Sequence, residues 1–173
     1  MQISDTRIIL RPVEPGDLDT LYLLENATSR AEGGFATAPA SRFELSRYIE
    51  SYSADIFAEK QLRLMIVARD SGRTVGAIDI SDFDARNRRG FVGIAIVEGE
   101  RRKGYGRAAL EVMCGYAADV LGMHQLDAQI AYDNEASRAL FGACGFKTCG
   151  RLRSWLRRGS SYTDALLYQR IFA

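Results

Sequence analysis

Along the chain the spacing of apolar positions switches between two and three to four residues, and each switch marks an element. Residues 7–11 read as a short strand closed by Pro12. Glu14-Pro15-Gly16-Asp17 is a turn that starts a helix running to Asn26, with Leu18, Leu21 and Leu24 at helical spacing. Residues 28–40, which hold Gly33-Gly34 and Pro39, keep no period and read as a surface loop. Ser41 and Glu44 stand in the order of a capping box, in which each side chain satisfies the other's free backbone amide. Phe43, Leu45, Tyr48, Ile49 and Tyr52 then supply the apolar face of a second helix.

The period then shortens. Residues 62–68 and 75–83 are β-branched and apolar runs joined by Asp70-Ser71-Gly72-Arg73, and residues 90–97 make a third run after the polar loop 84–89, so an antiparallel meander is predicted. From Tyr105 to Leu121 the residues Ala108, Ala109, Val112, Met113, Tyr116, Ala117, Val120 and Leu121 define a long amphipathic helix, with Gly122 where a C-terminal glycine stop belongs. Residues 126–130 read as a strand and residues 134–144 as a helix ended by Gly145. Residues 146–155 and 162–171 form a last hairpin turning at Arg158-Gly159-Ser160. The order β-α-α-β-β-β-α-β-α-β-β describes a mixed-sheet α/β (α+β) protein.

Composition narrows the class. The 173 residues suit one domain, 1–173, and 47% hydrophobic with 26% charged residues is the balance of an ordinary globular protein. A net charge of +1 gives no global attraction to nucleic acid or to an anionic membrane, and no apolar run approaches the roughly 20 residues of a membrane-spanning helix. Cys114, Cys144 and Cys149 are three cysteines without a C-x-x-C spacing, and the start of the chain lacks the layout of a signal peptide. Reduced thiols in the cytoplasm are therefore expected. His124, the one histidine, stands apart from any cluster of metal ligands, and no metal is expected.

Candidate chemistry concentrates where a strand meets the long helix. After Ile94-Ala95-Ile96-Val97 comes a polar connection, and Gly104-Tyr105-Gly106-Arg107 opens the helix. Glycines admit close approach of backbone amides to a ligand, and a helix N-terminus adds unpaired N–H groups at the positive end of its dipole, so the loop suits an anion. On this loop alone two other readings stay open. The glycines can simply make a tight turn amid solvated charge, or Gly104-x-Gly106-x-x-Ala109 with Asp127 downstream can be a dinucleotide fingerprint, although three antiparallel strands before it suit a parallel βαβ unit poorly.

Arg101-Arg102-Lys103-Gly104-Tyr105-Gly106 resembles the R/Q-x-x-G-x-G/A signature of the GNAT acetyltransferases. Asn134-Glu135-Ala136-Ser137-Arg138-Ala139-Leu140-Phe141, continuing to Gly145-Phe146, is similar to that family's second cofactor segment, N-x-x-A/S-x-x-L-Y-x-x-x-G-F. The resemblance runs from Arg7 to Ile171 and implies a mostly antiparallel seven-stranded sheet flanked by about four helices. It also implies acetyl-CoA as co-substrate, with no metal. The loop from Arg101 through Arg102, Lys103, Gly104, Tyr105 and Gly106 to Arg107 would wrap the pyrophosphate. Ile96 and Val97 would pair with the pantetheine arm, which carries amides of its own. Asn134 would contact the same arm, or serve only as the N-cap of its helix. Arg138 and Lys147 are either phosphate contacts or solvated charge. A monomer or a homodimer fits the resemblance.

The transfer chemistry is less clearly written. A lysine-like amine titrates near 10.4, so its neutral form at pH 7 lies about 4–5 kcal/mol uphill, and a base is useful. Where the family resemblance implies a tyrosine acid this chain has Phe141, and the fourth predicted strand holds no carboxylate. Asp79 and Asp82 on the third predicted strand are the nearest substitutes, and Tyr132, Tyr105 and Cys144 are candidate proton donors. Glu25, Glu32, Asp79, Asp82 and Asp84 are carboxylates that a polyamine channel would want, because residues 76–93 and the C-terminal hairpin look like the branch that holds spermidine and ribosomal-protein N-terminal acetyltransferases. Trp155 and Tyr162 are expected to pack within the last hairpin rather than to line a pocket. The acceptor is a small-molecule amine or a peptide N-terminus, acylated directly because no cysteine has an evident base. The alternative is a non-catalytic acyl-CoA-binding protein.

Overall fold

In the computed structural model, residues 3–27 and 38–172 are described. One sheet of eight strands, in the order β1-β2-β3-β4-β5-β6-β8-β7, organises the chain. The strands are β1 (Ile3–Ser4), β2 (Ile8–Arg11), β3 (Leu62–Ala68), β4 (Thr74–Asp84), β5 (Arg89–Ile96), β6 (Gln125–Ala131), β7 (Lys147–Arg158) and β8 (Ser161–Ile171). The α-helices among the described residues are α1 (Leu18–Glu25), α2 (Arg42–Glu50), α3 (Ile56–Glu59), α4 (Tyr105–Asp119) and α5 (Glu135–Ala143). Two elements exceed the expectation of seven strands and about four helices: β1, whose two residues are too few to carry a period, and α3, a single turn capped by the Asp55 carboxylate. Of the loop expected over residues 28–40, only residues 38–40 are described.

Alternation along the strands divides the core between two faces. Ile8, Leu64, Ile66, Ile78, Ile80, Val92, Leu126, Ala128 and Ile130 point to one face and pack with Ala109, Leu110 and Met113 of α4 and Phe141 of α5. Met65 and Ala77 point the other way and pack with Leu21 and Leu24 of α1 and Leu45 of α2. Val120, placed in the apolar stripe of α4 by spacing, is 51% exposed because the helix ends before it. The Ser41–Glu44 capping box forms as expected, Glu44 N–H donating to Ser41 Oγ at 3.1 Å and Ser41 N–H to Glu44 Oε2 at 2.9 Å.

The strands are interrupted where the sheet must bend. Opposite β5 the register of β4 slips by one residue between Ser81 and Asp84, and Asp82 takes φ 50° at the resulting bulge. On the edge strand β7 the register shifts between Thr148 and Gly150 and again between Leu152 and Leu156, with Ser154 at φ 48°. The Asp164 carboxylate fastens the second bulge, accepting from Ser154 N–H at 2.7 Å and from Arg151 Nε at 2.5 Å. Lys147, Arg151, Arg153, Arg157 and Arg158 also make this edge strongly basic.

Asp17 ties α1 to the sheet. It is 2% exposed and accepts from both Arg11 guanidinium nitrogens at 2.7 and 2.8 Å, from Glu14 N–H at 2.8 Å and from Thr74 Oγ1 at 3.1 Å. Burial pushes its carboxyl up, but Arg11, the Glu14 amide and Thr74 outweigh it and hold it below the usual carboxylate range. Removing one partner of such a pair leaves the other stranded, so Asp17→Ala is expected to lower stability by about 3 kcal/mol in urea titrations at pH 7. A depressed carboxyl contributes above its unfolded value near 3.9 and loses that contribution as pH falls through its folded value. The gap between wild type and variant should therefore close in titrations carried below about pH 4.

Candidate active site

The site begins with a pairing that stops. β5 and β6 run parallel and pair only at Arg89–Gln125, Gly90–Leu126 and Phe91–Asp127. Beyond that vertex β5 continues with β4 alone to Ile96, and β6 with β8 alone to Ala131, so two strand edges face each other across an opening V. Ile94 and Ile96 of β5, Leu140 of α5 and Gly106 of α4 converge on its floor. A Cβ on Gly106 would stand 3.6 to 3.9 Å from those three side chains. Opposite, a Cβ on Gly76 of β4 would meet Ala95 O of β5 at 2.4 Å, so only glycine lets these strands keep their spacing here.

The candidate anion loop sits at the mouth of the V. A 3-10 turn, Glu98–Glu100, follows Val97, and the chain enters α4 through two left-handed residues, Arg102 at φ 62° and Gly104 at φ 86°. Ala108 N–H makes an intrahelical bond to Gly104 O at 3.1 Å, while among the described residues no backbone acceptor outside regular structure meets the amides of Arg102, Lys103 or Gly104. The loop is braced from beneath by Glu100, which is buried and pairs with Lys103 Nζ and Arg73 Nη2, each at 2.8 Å. The Lys103 hydrogen bond and the neighbouring charges hold Glu100 below the usual glutamate range. Lys103 is thus a brace with part of its charge already answered. Arg101 Nε donates to Ile96 O at 3.1 Å, Tyr105 Oη approaches Asp70 Oδ2 at 3.4 Å, and Arg107 pairs along the helix with Glu111 at 2.9 Å.

Across the V, the second segment is built around Tyr132. Asn134 caps α5, its Oδ1 accepting from Ser137 N–H at 3.0 Å. Arg138 Nη1 donates to Tyr132 O at 3.0 Å, and the guanidinium groups of Arg138 and Arg151 lie 5.1 and 4.6 Å from the Tyr132 ring centroid. These contacts engage Asn134 and Arg138 structurally at the open end of the V. Phe141 is buried against Phe146, ring centroids 5.0 Å apart, and offers no hydroxyl. Cys144 is also buried, and burial pushes its thiol up; burial likewise lifts Cys114, to about 11. Lys147 is exposed at the start of β7. Trp155 and Tyr162 are 56% and 60% exposed, against the expectation that they pack within the hairpin; the bulge at Arg153–Trp155, invisible to simple alternation, throws β7 out of phase there.

The sheet face toward α1 and α2 carries the candidate acid–base groups. Asp79 stands between Arg63 on β3 and Gly93 on β5. Arg63 holds it with Nε to Oδ1 at 2.6 Å and Nη2 to Oδ2 at 3.2 Å, and its third nitrogen reaches Glu25 Oε1 at 2.9 Å. Tyr48 stacks beneath this guanidinium at 5.6 Å, and Tyr52 donates to Arg63 O. Burial, with Tyr48 adding, pushes the Tyr52 hydroxyl up to about 12. At Gly93 a Cβ would meet nothing within 4 Å, so open space lies beside Asp79. Asp82 points to solvent from its bulge, and Asp84 accepts from the amides of Arg86 and Asn87, each at 3.0 Å. Glu32 lies outside the described residues.

One carboxylate on this face went unassigned as an acid–base group in the sequence. Asp127 sits at the vertex itself, level with Phe91 on β5 and Gln169 on β8, and its Oδ1 is buried without a hydrogen-bond partner. Burial is the main cause that raises its carboxyl above the usual range. Its own amide and Arg89 oppose the rise, and Asp82 adds to it. The alternation Gln125-Asp127-Gln129 marks a polar face of β6, which is a faint signal.

A parallel strand pair that splays open in an otherwise antiparallel sheet, with a helix N-terminus at its mouth, frames the candidate site. The profile of the Acetyltransferase (GNAT) domain matches residues 7–147, and the chain belongs to that family. Against curated protein sequences the chain has no significant match. Among solved structures, a spermidine N-acetyltransferase from Vibrio cholerae in complex with CoA and spermine superposes with TM-score 0.85 at 21% identity, over 96% of each chain. The microcin C7 self-immunity acetyltransferase MccE, in complex with acetyl-CoA and AMP, gives 0.82 at 20% over 97% of this chain and 94% of the other. A GNAT-family acetyltransferase from Bacillus anthracis gives 0.83 at 14% over 99% and 98%. At these identities the likeness is one of fold.

Because burial raises Asp127, the stability linked to its proton is present below the unfolded value near 3.9 and is lost as pH rises through the folded value. Asp127→Asn is therefore expected to melt higher than wild type at pH 7 and at the same temperature near pH 3, as thermal scans at the two pH values would read.

Proposed function

We propose that the protein is an acetyl-CoA-dependent N-acetyltransferase that acylates a primary amine, carried by a polyamine-like small molecule or a protein N-terminus, by direct transfer within a ternary complex. The observation that supports this most is the open V between β5 and β6, with the amides of Arg102, Lys103 and Gly104 at its mouth. Those amides and Arg101 would hold the pyrophosphate, where hydrogen bonds to a charged partner contribute about 1.5–3 kcal/mol each. The unpaired edge of β5 at Ile96 and Val97 would pair with the pantetheine amides in the manner of an added strand. The bound co-substrate supplies the activated acetyl group, and backbone N–H groups near Ile96 and Val97 would stabilise charge on its carbonyl oxygen.

Direct transfer is supported by the buried, unactivated thiols of Cys114 and Cys144. Open space at Gly93 beside Asp79 suits an amine approaching from the α1 and α2 face. Three free cysteines and the co-substrate itself suit the cytoplasm, and no described helix is long and apolar enough to cross a membrane. A non-catalytic acyl-CoA-binding role is favoured by one observation, the buried Phe141 where the family resemblance implies a tyrosine acid.

Calorimetry with acetyl-CoA, followed by thiol release against spermidine, amino acids, aminoglycosides and N-terminal peptides, separates the two. Binding with turnover of an amine is expected; binding without turnover selects the second reading. Gly104→Ala should weaken acetyl-CoA binding at least tenfold in the same calorimeter with the fold retained, since an L side chain at φ 86° costs about 1–2 kcal/mol or moves the amides. Replacing all three cysteines with alanine should leave steady-state turnover within a fewfold of wild type, whereas a trapped acetyl-enzyme would refute direct transfer.

A further inference from the structure

We propose that Asp127 is the general base of the transfer, taking, directly or through one water, the proton that the acceptor ammonium must lose. The assignment rests on the N-acetyltransferase reading and adds a residue to it. It starts from position. Asp127 occupies the last paired level of β5 and β6, so its side chain stands at the point of the V toward which an acyl donor entering from the α4 mouth is directed. Alternation along β6 sends Leu126 and Ala128 into the core under α4 and leaves Asp127 on the opposite face, the one that carries Asp79 and the open space at Gly93.

The other carboxylates of this face are already committed. Asp79 is gripped by two nitrogens of Arg63, which also engages Glu25, and Asp84 accepts from two turn amides and lies 3.6 Å from Arg89 Nε. Asp82 is turned outward by its bulge, and β5 has no carboxylate. Asp127 Oδ1 alone among buried carboxylate oxygens of the described residues lacks a hydrogen-bond partner, although it is sealed from bulk water. An unpaired buried carboxylate oxygen is costly unless a substrate or a water meets it. The charges that act on it through space are Arg89 from β5 and the outward-turned Asp82 from β4, of opposite sign, while its neighbours Gln125 on β6 and Gln169 on β8 carry no charge. Burial makes Asp127 a stronger base than a surface aspartate.

The ammonium gives one proton to the Asp127 carboxylate, and the freed nitrogen lone pair forms the N–C bond to the acetyl carbonyl. The C–S bond breaks with its electron pair on sulfur. A second N–H proton then passes to the thiolate to give free CoA thiol, and Asp127 returns its proton to solvent.

The test compares wild type with Asp127→Asn, measuring amine kinetics at saturating acetyl-CoA from pH 6 to 9.5 and acetyl-CoA affinity by calorimetry. The expected result is a roughly 100-fold loss of kcat/KM at pH 7 with acetyl-CoA affinity unchanged. The deficit should shrink toward tenfold or less at high pH, or with a low-pKa acceptor such as trifluoroethylamine, whose nitrogen is already neutral. A variant within threefold of wild type overturns the assignment, as does a loss that is equal at every pH and for every acceptor. Wild-type protein that binds acetyl-CoA and acylates no amine overturns the parent reading, and this assignment with it.

Discussion

Everything distinctive about this molecule depends on where one strand pair stops hydrogen-bonding. Backbone donors and acceptors in a folded chain must be met, and a sheet normally meets them by continuing its ladder. Here the ladder between β5 and β6 ends at Phe91 and Asp127, while each strand runs on with its other neighbour. The divergence follows from what surrounds it. The bulge at Asp82 bends β4 and β5 together, Gly76 lets them stay in close register, and the crossover through α4 delivers β6 in parallel. Two strand edges that face each other without pairing are thereby held apart by the rest of the sheet.

The two halves of the site handle charge differently. At the mouth, cations outnumber anions, but Lys103, Arg73 and Arg107 already have carboxylate partners, so the loop relies on backbone amides to offer positive potential in a fixed place. On the face toward α1 and α2, one arginine holds two carboxylates and stacks on a tyrosine, which fixes the geometry of α1, β3 and β4 around a shared charge. Between them Asp127 sits without a counter-ion in contact. Preorganised partners surround the site, and its centre is left unsatisfied.

Much of this architecture was legible in the chain because it is local. The switch from helical to strand period, the capping box at Ser41, the glycines at 104 and 106 and the N-cap at Asn134 each act within a few residues, and each stands where spacing placed it. The rest is non-local. Asp79 reads as a free strand carboxylate and a candidate base until the register sets Arg63 beside it, and Asp127 reads as one polar position of an alternating strand until the end of a parallel pairing defines its surroundings. Trp155 escaped for another reason, because its direction depends on a bulge that Asp164, ten residues away from Ser154, holds in place.

The same bulged strand bears on how the protein behaves in a crowd. As the last strand of the sheet, β7 exposes a row of backbone groups of the kind that recruits a neighbouring chain into cross-β growth. Two register breaks prevent a straight partner from matching more than a few of those groups, and five like-charged side chains repel an identical edge brought alongside. Irregularity and charge together make this flank a poor seed for aggregation, which lets a long twelve-residue strand stand at the rim of the sheet without a cover.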